Sequence, residues 1–359
     1  MKNFMVSSRI CAKHYSSLFL FSLIYFLFSV SGITSAADIT WLTIDNGNNG
    51  DGGVSYEYQI SQFEITTAQY TEYLNAIAKT DTYGLYNSSM YNSQYYKGII
   101  REGSVDNYTY TVNDGWADKP VVFTSYYEAL RFANWMHNGR PTGLQTAATT
   151  EDGAYQISLG LNIVRKDGAL VWLPSEAEWY KAAYYDKLNN DYYNYATGSD
   201  SKPDNSAPDA DSGNSANYFD PVEGYAIGAP YYTSDVDDYG LSTSPYGTYG
   251  QAGNVWEWTE KASLGTSNTY IRGGCWNTND SFMLATYHIA YPVSTETVDI
   301  GFRLASVTGF GDDGGGDDGG DDGDDDDNNG GPGDSPVPEP HSIILLVSGI
   351  ALLIRRIRK

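Results

Sequence analysis

Residues 249–258 read YGQAGNVWEW, the most informative stretch of the chain. It places the carboxylate of Glu257 between the indoles of Trp256 and Trp258. Large aromatic side chains usually pack in protein cores, so we expect both indoles, together with Trp276, to be buried rather than to line a ligand cleft. A carboxylate between buried indoles needs a partner. We expect that partner to be calcium or the backbone of the RGG segment, residues 272–274.

Three segments upstream carry helix-capping patterns. In each of them a Thr or Ser stands three positions before a Gln or Glu, and apolar residues follow at helical spacing. The pairs are Thr66 with Gln69, Ser125 with Glu128, and Ser175 with Glu178. Elsewhere, short strand-like runs alternate with turns rich in Gly, Asn, Asp and Ser. So few helices argue against a doubly wound sheet and predict an α+β domain with much irregular structure.

Five segments, taken in chain order, resemble the formylglycine-generating enzyme family, also called the sulfatase-modifying-factor family. They are YQISQFEITTAQYTEYLN (58–75), KPVVFTSYYEALRFANWM (119–136), LPSEAEWYKAAY (173–184), YGQAGNVWEW (249–258), and RGGCW with GFRLAS (272–306). The most specific part is GNVWEW with RGG-x-W and GFR, and the match covers essentially the whole of residues 38–308. The resemblance implies a compact, irregular, turn-rich α+β fold related to C-type lectin-like domains. Because that superfamily includes both oxidases and domains without known chemistry, fold alone does not settle the function.

The oxidase chemistry of the resembling family depends on two cysteines that this chain lacks. Those enzymes oxidise a sulfatase cysteine to formylglycine with molecular oxygen, and two cysteines five residues apart hold Cu(I), a metal that prefers soft thiolates. Counted from the Gly273–Gly274 pair, the two cysteines fall on Thr278 and Met283. The resemblance therefore implies that copper is not bound in the family's way.

Cys275 is the one cysteine expected in the exported protein, and three interpretations of it stay open. It is a small side chain packed behind Trp276, which we favour, or a catalytic thiol, or a Cu(I) ligand together with the Met283 thioether. A partnership with His137 or His288 has no supporting local motif. With only these two histidines in residues 38–308, a zinc site is not expected.

The resemblance also implies a calcium site in the segment SANYFDPVEGYAIGAP. Its ligands fall on four residues, of which the tyrosines would offer backbone carbonyls: Asn217, Tyr218, Glu223 and Tyr225. Carboxylate, amide and carbonyl oxygens together suit this hard cation. An ordinary Asn/Gly-rich turn is the alternative.

A second calcium site of the family would use Gly253, Val255 and Glu257, with an acidic or amide residue at position 250. This chain has Gly250 there, which removes one ligand. The segment DADSG, residues 209–213, has a faint EF-hand pattern, but no glutamate stands at the twelfth position of that loop.

Both ends of the chain have the pattern of processing signals. Basic residues precede an apolar run over 18–30, and small residues follow it, which predicts a secretory signal peptide over residues 1–37. Its removal takes Cys11 away, so no internal disulfide is expected. Residues 309–335 form an Asp- and Gly-rich tract that we expect to be an extended, disordered linker.

Residues 336–359 combine a Pro-Glu-Pro turn, a short apolar helix and a terminal basic cluster. This arrangement resembles the PEP-CTERM sorting signal of Gram-negative bacteria that make extracellular polysaccharide. The resemblance implies recognition by an exosortase, with the short transmembrane helix as a transient anchor before release or attachment at the cell surface. A plain tail anchor is the alternative.

The domain between these ends is strongly acidic. Residues 38–308 hold 14 basic and 33 acidic residues, a formal charge near −19, which argues against nucleic acid or an anionic membrane as partner. We expect an exported, non-catalytic binding or structural module of the cell surface or extracellular matrix. Its expected partners are exopolysaccharide or a cell-surface protein. The alternative is an oxidoreductase of the formylglycine-generating type, which oxidises a protein cysteine with O2.

Overall fold

The computed structural model describes residues 38–47 and 53–311. The expected signal peptide, all but residues 309–311 of the expected linker, and the expected sorting signal lie outside these residues. Within the part of the chain that is described, no helix is long and apolar enough to cross a membrane. The architecture is mixed α and β with small sheets and many turns, which confirms the expected fold class.

The regular elements of the described residues are short. The helices are α1 (Thr67–Ile77), α2 (Ser89–Asn92), α3 (Tyr126–His137) and α4 (Glu176–Tyr184). The strands are β1 (Trp41–Ile44), β2 (Tyr58–Ser61), β3 (Ile99–Glu102), β4 (Thr109–Val112), β5 (Val171–Trp172), β6 (Tyr185–Asp186), β7 (Asp191–Tyr192), β8 (Phe219–Asp220), β9 (Gly224–Tyr225), β10 (Trp256–Trp258), β11 (Asn268–Arg272), β12 (Ile289–Pro292), β13 (Ile300–Gly301) and β14 (Ala305–Ser306). Short 3-10 segments cover Ile157–Asn162, Pro208–Ala210 and Asp280–Met283.

The three helix starts predicted from capping patterns are confirmed. At α1, the Gln69 N–H donates to Thr66 Oγ1 at 3.1 Å, and the Thr66 N–H donates to Gln69 Oε1 at 2.8 Å. The helices α3 and α4 begin with the same reciprocal arrangement. The apolar positions Tyr70, Leu74 and Ile77 of α1 are buried, as their helical spacing requires.

One four-stranded antiparallel sheet brings the first and last strands together. Its order is β1–β2–β14–β5, so the last strand of the described chain lies between β2 and β5. Ala305 pairs with Ile60 on one side and with Trp172 on the other. This pairing holds the GFR segment that precedes β14 inside the core, where Phe302, Arg303 and Leu304 are fully buried.

A second sheet carries the WEW segment at its centre. Its order is β12–β11–β10–β13, with β10 antiparallel to β11 and parallel to β13. In this register Glu257 lies opposite Arg272 on one side and Gly301 on the other. The three family-like segments, GNVWEW, RGG and GFR, are therefore neighbours in one sheet although they are distant in sequence.

The core is filled largely by aromatic side chains. Trp256, Trp258 and Trp276 are at most 6 % exposed, which confirms that they pack rather than line an open cleft. Many tyrosine side chains are fully buried, and their hydroxyl groups donate to backbone carbonyls. Examples are Tyr70 to the Leu85 carbonyl at 2.8 Å, Tyr184 to Met283 at 3.1 Å and Tyr218 to Pro203 at 2.9 Å. A buried phenol thus fills the core with its ring and satisfies a loop backbone with its hydroxyl.

Candidate functional site

The RGG segment leaves β11 through a turn with very little space for side chains. Gly273 and Gly274 have φ values of 99° and 75°, in the left-handed region that favours glycine. A Cβ added at Gly274 would come within 2.8 Å of Met283 Cγ. Just beyond the turn, Thr278 Oγ1 accepts from the Cys275 N–H at 3.0 Å and donates to the Cys275 carbonyl at 3.1 Å. This local loop holds Cys275 in the core.

The Cys275 thiol is inaccessible and held in its neutral form. The residue is 0 % exposed, its Sγ donates to Asn277 Oδ1 at 3.0 Å, and Asp299 Oδ2 lies 3.8 Å away. Burial, followed by the negative charge of Asp299, raises the pKa of the Cys275 thiol well above its ordinary value. The thiolate is the form that attacks substrates and binds metals. This environment therefore favours a packed structural side chain over a nucleophile or a copper ligand.

The two positions that correspond to the family's copper cysteines serve the packing of the loop. The Thr278 hydroxyl is bound to the backbone of Cys275. Met283 is fully buried and packs with Tyr195, Ala216 and Tyr218, whereas Cys275 belongs to the main core. The two sulfur-bearing side chains thus pack in separate apolar clusters.

The two histidines of the domain are engaged elsewhere. His137 Nδ1 accepts from the Leu170 N–H at 2.9 Å. The ring of His288 stacks on Tyr270 with centroids 4.3 Å apart, and its Nδ1 lies 2.5 Å from Glu176 Oε1. Within residues 38–47 and 53–311, no group of three or more His, Cys, Asp or Glu side chains is arranged to hold a metal ion.

The first expected calcium set divides into a buried half and an exposed half. Asn217 and Tyr218 are 1 % exposed, and Asn217 Oδ1 is buried without a hydrogen-bond partner. Such an unpartnered oxygen suits a metal ligand. Glu223 and Tyr225 lie on the exposed hairpin formed by β8 and β9. The structure therefore places the four residues in one segment, and Asn217 Oδ1 is the side-chain oxygen among them that is both buried and without a partner.

An amide that the sequence analysis did not single out lies against this hairpin. Asn205 Nδ2 donates to the Tyr218 carbonyl at 3.1 Å and to the Gly224 carbonyl at 2.8 Å. The Asn205 amide thus already donates to the Tyr218 carbonyl, one of the two carbonyls that the first calcium set would use. Calcium binding by this set stays a prediction.

The second expected calcium set centres on Glu257, which the structure pairs with an arginine. Glu257 Oε2 accepts from Arg303 Nε at 2.6 Å and from Trp179 Nε1 at 2.7 Å, and Glu257 Oε1 accepts from Arg303 Nη2 at 2.8 Å. Both charged side chains are 0 % exposed. The partner is therefore the arginine of the GFR segment rather than the RGG backbone. Gly253 and Val255, the other members of the set, are buried in the segment leading into β10.

A second carboxyl group fills the space left open at position 250. A Cβ added at Gly250 would overlap the carboxyl group of Glu64, from the FEITT segment. Glu64 Oε1 accepts from Asn254 Nδ2 at 2.9 Å, while its Oε2 is buried without a partner. Burial raises the pKa of Glu64 to about 7, against the opposing effect of the Arg303 charge. We call Glu64, Glu257 and Arg303 the sealed cluster.

The charges of the sealed cluster do not balance. Arginine is always cationic in proteins, so two ionised carboxyl groups beside Arg303 leave one buried negative charge in excess. A proton on Glu64 or a bound cation removes that excess. Both segments, FEITT and GFR, belong to the family resemblance, but no sequence pattern predicts a role for Glu64 or Arg303. Their separation along the chain offers no local pattern from which the contact is evident.

Comparisons with known proteins give one family match and several similar solved structures. The family description "sulfatase-modifying factor enzyme 1-like domain" matches residues 53–307. Among solved structures, the chain is similar to Treponema denticola variable protein 1, with 19 % identity, 75 % of this chain and 95 % of that one covered, and a TM-score of 0.47. It is also similar to CarF, with 19 % identity, 76 % and 99 % coverage and a TM-score of 0.48.

A further similar structure is PvdO from Pseudomonas aeruginosa, with 16 % identity, 75 % of this chain and 91 % of that one covered, and a TM-score of 0.40. No curated protein matches the sequence. The family match spans more than half of the chain and includes the capped helices, the WEW strand and the GFR segment. The chain therefore belongs to the sulfatase-modifying factor enzyme 1-like domain family.

Proposed function

We propose that this chain is an exported, non-catalytic binding or structural module built on the formylglycine-generating fold. The observation that carries the proposal is the loop around Cys275. Thr278 and Met283 take the places of the copper cysteines, and the remaining thiol is buried with a raised pKa. A soft-metal oxidase needs thiolates that its substrate can reach.

The terminal sequence patterns support the exported part of this proposal. A signal peptide over residues 1–37 and a PEP-CTERM-like tag over residues 336–359 would deliver the domain to the cell surface, with an exosortase acting on the tag. The acidic domain would face the exterior, where exopolysaccharide or another surface protein is its partner. The oxidoreductase alternative rests on family membership alone.

An oxygen-uptake assay tests the non-catalytic role. The purified full chain, loaded with Cu(I), is mixed with a cysteine-bearing sulfatase peptide, and oxygen consumption is followed together with aldehyde formation on the peptide. We expect neither, while an active formylglycine-generating enzyme under the same conditions shows both. Aldehyde produced by this chain and lost in the Cys275→Ser variant would overturn the proposal.

We propose further that calcium, where this domain binds it, involves Glu64 in place of the ligand lost at position 250. Three observations support this: the Glu64 carboxyl group fills the side-chain space of Gly250, its Oε2 is buried without a partner, and the sealed cluster lacks one positive charge. Oxygen ligands from carboxylates and backbone carbonyls suit calcium. Bound there, the ion would join the FEITT and GNVWEW segments.

Calcium titration followed by thermal unfolding tests this role of Glu64. Saturation at about 100 times the dissociation constant stabilises a protein by about 2.7 kcal/mol, so the melting temperature of the wild-type chain should rise with calcium. Glu64→Gln should abolish that rise and raise the melting temperature in EDTA, because it removes the excess buried charge. Glu102→Gln, at an exposed strand end, is the control. An unchanged calcium response in Glu64→Gln would contradict the assignment.

A paired exchange sharpens the same test. Gly250 has a φ of 71°, which asparagine tolerates better than other side chains. Gly250→Asn alone should unfold the protein at lower temperature, because the new side chain would overlap Glu64. Gly250→Asn combined with Glu64→Ala should recover stability and a calcium response, since the oxygen ligand then comes from position 250. A folded double variant that fails to respond would show that a side chain at position 250 cannot replace the Glu64 ligand.

A further inference from the structure

A cleft of about 540 Å³ lies away from Cys275 and from both expected calcium sets. Residues 163–169 form one wall, residues 56 and 57 before β2 form another, and residues 260–261 and 307–308, which follow β10 and β14, close its sides. The volume is in the range of small-molecule sites, about 300–1,000 Å³. None of the residues that the sequence analysis selected as site candidates lines it.

Arg165 and Glu260 form the polar floor of this cleft, and Glu178 is buried behind Arg165. Arg165 Nη1 donates to Glu178 Oε1 at 2.9 Å, and Arg165 Nη2 lies 3.2 Å from Glu260 Oε2. The Tyr155 hydroxyl donates to Glu260 Oε1 at 2.5 Å. We call Glu178, Glu260 and Arg165 the open cluster, because part of it faces the cleft.

The members of the open cluster differ in what they can offer to a ligand. The Glu178 side chain is 0 % exposed, and it accepts from the Tyr56 hydroxyl at 2.6 Å and from Trp172 Nε1 at 3.2 Å besides Arg165. It is therefore saturated and out of reach. Arg165 and Glu260 retain side-chain exposures of 24 % and 13 %. A donor and an acceptor thus stand side by side at the cleft floor.

The difference in exposure between Glu178 and Glu260 also argues against a hydrolytic pair of carboxylates. Two-carboxylate hydrolysis of a glycosidic bond requires both groups to reach the substrate. Glu178 has no exposed surface, and Arg165 stands between it and Glu260. The cleft therefore has the composition of a binding site.

The walls of the cleft are apolar and aromatic. Tyr56 is 36 % exposed with its hydroxyl fixed on Glu178, so its ring is held in place at the rim. Val164 is 50 % exposed on the loop wall. The Arg165 guanidinium lies 4.6 Å from the centre of the Trp172 ring, which fixes its orientation as well. A ligand with apolar faces and polar edges fits such a lining.

The charges around the cleft select the class of ligand. The lining contains three basic residues, Arg165, Lys166 and Lys261, and three acidic ones, Glu57, Asp167 and Glu260, so it is formally neutral. A polyanion would meet the large negative charge of the whole chain, −24. An ammonium ligand would meet the Arg165 guanidinium in the cleft floor. An uncharged ligand avoids both penalties.

We propose that this cleft binds a neutral saccharide. A sugar ring presents C–H groups on its faces and hydroxyl groups on its edge. The faces would pack on Tyr56 and Val164, while adjacent hydroxyls donate to Glu260 and accept from Arg165. The assignment rests on the proposed binding role, to which it adds a site and a ligand class.

Binding of defined sugars to the purified full chain tests the assignment. The probes are the neutral hexasaccharides of β-1,4-glucose and α-1,4-glucose, with hexagalacturonate as the anionic control, and calorimetry measures affinity in the millimolar range and below. We expect a neutral hexasaccharide to bind and hexagalacturonate not to bind. Binding of hexagalacturonate alone, or of no neutral probe, would overturn the proposal.

Three tyrosine variants locate the site. Tyr56→Ala should weaken the affinity by about tenfold, roughly 1.4 kcal/mol, because it removes the ring at the rim. Tyr56→Phe should keep most of the affinity, since the ring remains and only the hydroxyl contact with Glu178 is lost. Tyr91→Ala removes a tyrosine of similar exposure on α2 and should have no effect. Equal losses in Tyr56→Ala and Tyr91→Ala would place the sugar elsewhere.

The sugar assay and the oxygen assay test the two proposals independently of each other. A chain that shows no oxidation and binds no sugar leaves the non-catalytic role intact and removes the saccharide cleft. A chain that binds sugar through Tyr56 and also forms aldehyde keeps the cleft and removes the non-catalytic role.

Discussion

The sealed cluster and the open cluster have the same composition, two glutamates and one arginine, in different surroundings. All side chains of the sealed cluster are buried, and one carboxyl oxygen, Glu64 Oε2, has no partner. The open cluster borders a cleft, and each carboxyl oxygen of Glu260 has a polar neighbour, the Tyr155 hydroxyl or the Arg165 guanidinium. Burial raises the pKa of Glu64 and of Glu260 to about 7 in both places.

The difference shows that access, rather than composition, decides what such a cluster can do. In the sealed cluster the excess charge has to be removed by a proton or by an ion that becomes part of the structure. In the open cluster, water or a ligand in the cleft can interact with the same kind of charge. We therefore assign a structural role to the first and a recognition role to the second.

Replacement of the arginine should give the largest difference in stability between the two clusters. Arg303→Met leaves Glu257 with a buried, uncompensated charge, and loss of one partner of a buried pair costs about 3–5 kcal/mol. Arg165→Met should cost less. The buried Glu178 keeps its donors from Tyr56 and Trp172, and water in the cleft reaches Glu260. Urea unfolding at neutral pH measures both free energies of unfolding. Equal losses in the two variants would show that the access difference has no energetic consequence.

The second expected effect, of intermediate size, is on the pH dependence of the free energy of unfolding. Because the pKa of Glu64 is raised to about 7 from an ordinary 4.5, the folded state binds this proton more tightly than the unfolded state. Its contribution to the free energy of unfolding is full below pH 4.5 and is lost as the pH rises through about 7. The whole contribution is on the order of 3 kcal/mol.

Glu64→Gln should therefore flatten the fall in stability over this pH range, as measured by urea unfolding at a series of pH values. Glu260→Gln should flatten it by a similar amount, because the pKa of Glu260 is raised to about the same value. Calcium should reduce this loss of stability at high pH only where Glu64 is present, because a bound ion stabilises the Glu64 carboxylate. A steeper pH profile in either variant would contradict the sign of the assigned shift.

The smallest expected effect concerns sugar affinity. As the pH rises through about 7, Glu260 ionises and becomes a stronger acceptor for a sugar hydroxyl. The affinity of the neutral hexasaccharide should therefore increase a few-fold, by less than about 1 kcal/mol. The affinity of Glu260→Gln should not vary with pH. Calorimetry at matched ionic strength checks this, and a parallel pH response in the variant would exclude Glu260 from the contact.

Local patterns were sufficient for the parts of the fold that depend on local contacts. The Thr66–Gln69 pair predicts the start of α1 because both hydrogen bonds join residues three positions apart. The burial of Trp256 and Trp258 follows from their size and apolar character. The fold class followed from the family resemblance and from the scarcity of helical segments.

The contacts that shape the candidate sites are long-range and were not evident. Glu64 meets Asn254 across 190 positions, and Arg303 meets Glu257 because β10 and β13 are parallel neighbours. The family pattern indicated an absent ligand at Gly250 but not that Glu64 fills the space. The open cluster was missed entirely, because Arg165 lies in a loop without a recognisable motif.

The position of β14 has a mechanical consequence. The described chain runs from this strand to residue 311, and the strand is hydrogen-bonded to β2 on one side and β5 on the other. Tension applied to the C-terminal end of the chain would therefore load two ladders at once, next to the buried side chains of Phe302 and Leu304. A tether fixed in the interior of a sheet resists extraction better than one fixed at its edge.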